Sequence, residues 1–163
     1  MKITVVRGDI TRQDVEAVVT AANTGLRGGG GVDGAVHAAA GPRLLQASLA
    51  LAPCLPGGAV LTEAFNLAPV RWVIHAVGPI YQGPQDAATL TSAYMQSLAR
   101  ADEVGATTVA FPSISTGAYG YPLAQAAAVS VQALCRAVTA VHIVLLVAFS
   151  HRVQELWEQA LEG

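Results

Sequence analysis

The chain has 163 residues, 53% of them hydrophobic and 12% charged, and nine Lys plus Arg against eleven Asp plus Glu leave a formal net charge of −2. That length suits one domain with a substantial core, and the lack of any basic run argues against nucleic acid as the main partner. Lys2 is the only lysine, so no P-loop or Schiff-base lysine is available in the body of the fold, and bound phosphate would have to rest on backbone amides and helix ends.

Ile3 to Val6 reads as a short strand and Ala17 to Val19 as a second, apolar enough to be buried on both faces. The second strand feeds Thr20-Ala-Ala-Asn23 and then Gly28-Gly-Gly-Gly-Val-Asp-Gly-Ala-Val-His37, four glycines running directly into an Asp and a His at helical spacing. A helix is predicted from near Asp33 until Gly41-Pro42 breaks it, followed by a helical stretch over Arg43 to Ala52. After Pro56-Gly57-Gly58, Ala59 to Ala64 and Trp72 to Val77 read as strands joined by a turn containing Asn66 and Pro69, and Gly78-Pro79 stops the second.

Asp86 to Val104 places Leu90, Ala93, Tyr94, Ser97, Leu98 and Ala101 at amphipathic-helix spacing, with Gly105 where a C-cap belongs. Thr107 to Phe111 is the next strand, ended by Pro112, and Ser113-Ile-Ser-Thr-Gly-Ala-Tyr-Gly120 forms a second glycine-containing loop. Pro122 opens an Ala-rich helix to about Val138. His142 to Phe149 is the last strand, Ser150 an N-cap and Val153 to Leu161 the closing helix.

The alternation predicts a single domain over 1–163, an α/β three-layer α/β/α sandwich with a mixed, mostly parallel central sheet. Ligands in such folds occupy a crevice beyond the carboxyl ends of strands, and both glycine loops leave strands there. The longest apolar run, Ile143 to Phe149, is far short of the roughly 20 residues of a membrane helix. The first residues lack a signal-peptide core, so a soluble, cytoplasmic monomer without membrane contact is expected. Cys54 and Cys135 lack Cys or His neighbours at ligand spacing and read as two buried thiols, with no zinc site and no disulfide.

A glycine run presents successive N–H groups with no Cβ in the way, and a helix N-terminus adds partial positive charge, so each loop is a candidate anion site and the two together suit a diphosphate. Gly29-Gly30-Gly31-Val32-Asp33-Gly34 formally satisfies G-x-G-x-x-G. No carboxylate follows about 20 residues later to hold a ribose, which argues against a nicotinamide-dependent oxidoreductase. Walker A, G-x-S-x-G and H-E-x-x-H patterns are absent. His75, midway along an apolar strand, reads as structural, and His142 and His151 carry no functional signal.

Gly8-Asp-Ile-Thr11, Val15 to Asn23, Gly28 to His37, Asn66-Leu67, Val73-Ile-His-Ala-Val-Gly-Pro79 and Phe111 to Pro122 together resemble, in order and over nearly the whole chain, the motifs of the macrodomain family, and within it the branch that removes ADP-ribose from modified proteins. The resemblance implies ADP-ribose as ligand and mono-ADP-ribosylated proteins as partners, with no cofactor and no metal. It places Asp9 against the adenine amino group, with Ile10 giving backbone contact. A carboxylate suits that place because, when ionised, it only accepts hydrogen bonds; a turn-capping role for Asp9 is the alternative. Phe149 matches the adenine-stacking position, or else is a core aromatic.

Gly28, Gly29, Gly30, Gly31 and Val32, with Ser115, Thr116, Gly117, Ala118 and Tyr119, match the loops around the diphosphate. Tyr119 shields the distal ribose and Asn23 contacts it, unless these two serve only their own loops. Asp33 matches the carboxylate that positions or activates the attacking water, helped by the substrate's phosphate, and its place at a helix start favours the ionised form; an N-cap is its alternative role. His37, one turn on, is a supporting residue.

Thr20 departs from the family's frequent Asn-Ala-Ala-Asn and can replace only part of that amide's bonding. The expected activity is hydrolysis of the ester joining ADP-ribose to an acidic protein side chain, with O-acetyl-ADP-ribose deacetylation as a related reaction. A non-catalytic ADP-ribose reader is the alternative.

Overall fold

A computed structural model describes residues 1–163. Six strands, β1 (Lys2–Arg7), β2 (Ala17–Ala21), β3 (Ala59–Glu63), β4 (Trp72–Ala76), β5 (Thr108–Phe111) and β6 (Ile143–Ala148), form one sheet in the order β1-β6-β5-β2-β4-β3. Every neighbouring pair is parallel except β3 with β4, so the sheet is mixed and mostly parallel, with one edge strand reversed. Five helices cover it: α1 (Gly31–Ala40), α2 (Pro42–Leu49), α3 (Asp86–Glu103), α4 (Leu123–Arg136) and α5 (His151–Glu162).

Alternation along the strands divides the core. Val19, Ile74, Phe111 and Leu146 point to one face and pack with Tyr94, Leu134 and Trp157 of α3, α4 and α5. Val18, Val73, Ala110 and Val147 point to the other and pack with Val36, Ala40 and Leu44 of α1 and α2. Both faces of the central strands are covered, which is why these strands read as continuous apolar runs rather than as alternating ones.

Several boundaries differ from the sequence reading, each for a local reason. A 3-10 turn at Ile10–Arg12, capped by Asp9, follows β1 and had no periodic signal to mark it. Helix α1 begins at Gly31 with Gly30 as N-cap, so Asp33 is the third helical residue and not a cap. Helix α4 stops at Arg136, short of Val138. Ser150 does cap α5, accepting from the Val153 amide. Cys54 is buried, but Cys135 is exposed, because it lies in the last turn of α4, at the edge of the face that turns Ala127, Ser130, Val131 and Leu134 inward.

Candidate functional site

The four strands β1, β6, β5 and β2 are adjacent and parallel, so their carboxyl ends lie side by side. A cleft of about 780 Å³ opens there, within the usual range for small-molecule sites. Each strand end supplies part of its wall: Asp9 and Ile10 after β1, Phe149 after β6, Ser115 to Tyr119 after β5, and Asn23 with Gly29 to Asp33 after β2. Gly28 and His37 do not line it. They face a second, smaller hollow of about 340 Å³ behind the glycine loop, with Arg27, Gly34 and Gly41.

The glycine loop is built for close approach. Gly28 and Gly31 have φ of 75° and 57°, a region that side chains disfavour, and a Cβ on Gly34 would stand 2.5 Å from the Gly29 carbonyl oxygen. Asn23 braces the loop from within, its Nδ2 donating to Gly28 O at 2.9 Å and its Oδ1 accepting from the Arg27 amide at 3.1 Å. That leaves one Nδ2 hydrogen for the cleft. No side chain caps the first turn of α1, so its N–H groups stay available at the cleft wall.

In the second loop the side chains look inward. Ser115 holds φ 68° and its Oγ donates to Pro79 O at 2.8 Å, while the Thr116 hydroxyl is bound to Ser113. What these two residues can offer a phosphate is backbone N–H, not hydroxyl. Gly117 and Ala118 are exposed and Tyr119 half-buried at the rim, and Tyr119 O is held by the Tyr81 amide at 2.8 Å.

At one end of the cleft, Asp9 Oδ1 accepts from the Thr11 amide and hydroxyl at 2.9 and 2.7 Å. Those hydrogen bonds lower its pKa and keep the exposed carboxylate ionised, while Oδ2 makes only a long, 3.8 Å ion pair with the exposed Arg12 Nε and can take another donor. Its capping role and its place in the cleft wall therefore coexist. Phe149 is 75% exposed, so it belongs to the cleft wall and not to the core, one residue beyond the end of β6.

At the other end Asp33 is only 4% exposed. Its Oδ1 accepts from Thr20 Oγ1 at 2.9 Å and lies 3.5 Å from His37 Nε2. Its Oδ2 has no partner yet is not sealed in protein, and since Asp33 lines the cleft this oxygen opens onto it. Burial raises the Asp33 pKa, against the opposing pull of the Thr20 hydroxyl and His37. The ionised form expected from the helix dipole alone is thus weakened by desolvation, which makes Asp33 a stronger base than an exposed carboxylate.

His75, fully buried on β4, joins this group. Its Nε2 is 2.9 Å from Thr62 Oγ1, and that hydroxyl already donates to Glu63 O at 3.0 Å. The hydroxyl therefore accepts from His75, so Nε2 carries the proton and Nδ1 keeps a bare lone pair, which has no partner. Asp33, His37 and His75 place one ligand atom each within 4.8 Å of one another, a donor set of the kind transition metals take. Sequence reading missed this trio because the residues belong to α1 and β4, 38 positions apart between His37 and His75, and only the sheet brings them together.

The Macro domain family model matches residues 19–130. A macro domain-containing protein of Chlorobaculum tepidum is 45% identical over 161 residues, covering 96% of this chain and 93% of that protein. A protein of an Enterobacter species named O-acetyl-ADP-ribose deacetylase is 50% identical over 144 residues, covering 85% of this chain and 79% of its own length. Among solved structures, a macrodomain mutant of Oceanobacillus iheyensis with ADPR superposes with a TM-score of 0.92 at 38% identity, covering 97% of this chain and 90% of that one. With the sheet order, the two glycine loops and the cleft between them, these similarities establish that the chain belongs to the Macro domain family.

Proposed function

We propose that this protein binds ADP-ribose in the cleft and hydrolyses esters on its distal ribose, both the link to an acidic side chain of a mono-ADP-ribosylated protein and the acetyl ester of O-acetyl-ADP-ribose. The observation that carries the reading is Asp33: a buried carboxylate with one oxygen tied down and the other open to the cleft, beside a run of bare amides. Asp9 accepts from the adenine amine, Phe149 stacks on the base, and the amides of Gly29 to Val32 and Ser115 to Ala118 take the diphosphate. The distal ribose then lies by Asn23 and Tyr119. Asp33 Oδ2 orients a water towards the ester, takes its proton as the new C–O bond forms, and returns it to the departing oxygen. Alignment of that water contributes most, since positioning can supply up to about 7–11 kcal/mol of a barrier. A relative named as a deacetylase supports the same class of reaction.

The test is a panel of ester-linked, Arg-linked and Ser-linked ADP-ribosyl substrates together with O-acetyl-ADP-ribose. Release of ADP-ribose from the esters is expected. With Asp33→Ala, we expect calorimetric ADP-ribose affinity to stay within about threefold while hydrolysis falls at least about a hundredfold, in line with the loss of a positioned acid–base group. A wild type that binds ADP-ribose and cleaves nothing would make the protein a reader, and an active Asp33→Ala would remove Asp33 from the mechanism.

A further inference from the structure

We propose that the hollow behind the glycine loop seats the modified protein, with Arg27 binding a carboxylate that flanks the ADP-ribosylated residue. The inference rests on the reading above and deepens it by naming the class of protein substrate, an acidic segment. The hollow and the cleft share Gly29 in their walls, so only the glycine loop parts them. Gly29 and Gly30 are exposed, and a Cβ on Gly30 would meet nothing within 4 Å. A chain attached to a distal ribose beside Asn23 therefore crosses bare backbone, with no side chain in its way, to reach the hollow.

Charge separates the two cavities. The cleft wall contains no Lys or Arg, which leaves the diphosphate to amides, whereas the wall of the hollow contains Arg27 and no Asp or Glu. Arg12, Arg100 and Arg152 lie against Asp9, Glu103 and Glu155. The Arg27 guanidinium has no such partner, and the residue is tied down by its backbone amide, bound to Asn23 Oδ1. Its direction is set by its neighbours. Leu26, at φ 51°, is buried with Cys54 and Val77, and with that side chain turned inward Arg27 is left exposed. The guanidinium lies back over Gly25, where a Cβ would come within 3.0 Å of Cζ. His37, the other basic residue of the wall, turns Nε2 towards Asp33 at 3.5 Å, so Arg27 is the hollow's free donor. An esterified carboxyl carries no charge, so the group that Arg27 takes is a neighbouring carboxylate and not the modified one. The planar guanidinium suits bidentate contact with it, and the hollow, at about 340 Å³, has room for such a side chain and the backbone beside it.

The experiment measures calorimetric affinity for free ADP-ribose and for two synthetic peptides that carry ADP-ribose through an amide in place of the ester, one flanked by Glu and one by Gln. The proteins are wild type, Arg27→Gln and Arg27→Glu. Wild type is expected to bind the Glu-flanked conjugate about five- to tenfold more tightly than the Gln-flanked one, as befits a charge-assisted contact to a carboxylate. That preference should shrink as salt is raised, vanish in Arg27→Gln and invert in Arg27→Glu, while free ADP-ribose binds all three proteins alike. Equal affinity of wild type for the two conjugates, or a preference that survives Arg27→Gln, would overturn the proposal. So would an equal loss in Arg27→Gln for free ADP-ribose and both conjugates, which would mean that the substitution only disturbs the glycine loop. Ester-linked versions of the same peptides test turnover separately. An Arg27-dependent preference with no ester hydrolysis by wild type keeps the seat and fells the hydrolytic reading, and hydrolysis without the preference does the reverse.

Discussion

At the scale of single residues, Gly34 shows why propensity does not decide its own case. An Ala in the interior of α1 should favour the helix by about 0.8–1 kcal/mol over Gly. Its Cβ, however, would stand 2.5 Å from the Gly29 carbonyl oxygen, so either α1 or the glycine loop must give way. Overpacking of that kind costs about 1–3 kcal/mol, more than the helix gains. Gly34→Ala is therefore expected to lower stability in urea by up to about 2 kcal/mol, the difference between those two effects, and to weaken ADP-ribose binding by moving the Gly29 to Gly31 amides. An equally stable variant with unchanged calorimetric affinity would show that the loop absorbs the methyl group freely. Gly29 to Asp33 were legible as one stretch of the cleft wall because their spacing is local, whereas Gly28 and His37 face the smaller hollow behind it. Thr20 and His75 were not legible, since a Thr and a His inside apolar strands carry no spacing signal, and their meeting depends on the register of β2 with β4.

At the scale of elements, helix positions were readable from period and caps, while the direction of β3 was not. Ala59 to Glu63 pairs antiparallel with β4, and a short run of mixed residues contains nothing to distinguish that from a parallel edge. The packing of α5 on α4 was likewise invisible, although both helices were predicted. Trp157 of α5 is fully buried and its Nε1 donates to Ser130 Oγ of α4 at 3.0 Å, while Ser130 itself donates to Ala127 O. Ser130→Ala would strand an indole N–H in the core, and an unsatisfied buried donor costs about 1–3 kcal/mol. We expect a loss of that size in the free energy of unfolding, with an unchanged m-value and unchanged ADP-ribose affinity, because the contact lies on the α3, α4 and α5 side, away from Asp33. A variant as stable as wild type would mean that water reaches the indole.

At the scale of the whole molecule, the buried polar cluster beneath α1 ties global stability to pH. His75 is neutral in the folded state, its pKa pushed down to about 4 by burial, with a smaller push from His37. The unfolded chain has an ordinary histidine there, near 6.5. Between those values the unfolded state binds a proton that the folded state refuses, so the contribution of His75 is fully present above about pH 6.5 and is lost as pH falls towards 4. From pH 7 to pH 5 this amounts to about 2 kcal/mol, at 1.36 kcal/mol per pKa unit. Asp33 works the other way, because its folded pKa is raised: it favours the folded state as pH falls and offsets part of the loss at the acid end. Urea unfolding at pH 7 and pH 5 should thus show wild type losing stability, and His75→Gln, which keeps an amide donor for Thr62 but does not titrate, losing about 2 kcal/mol less over the same interval. Parallel losses in the two proteins would place the acid sensitivity elsewhere in the fold, since every other titratable group is common to both.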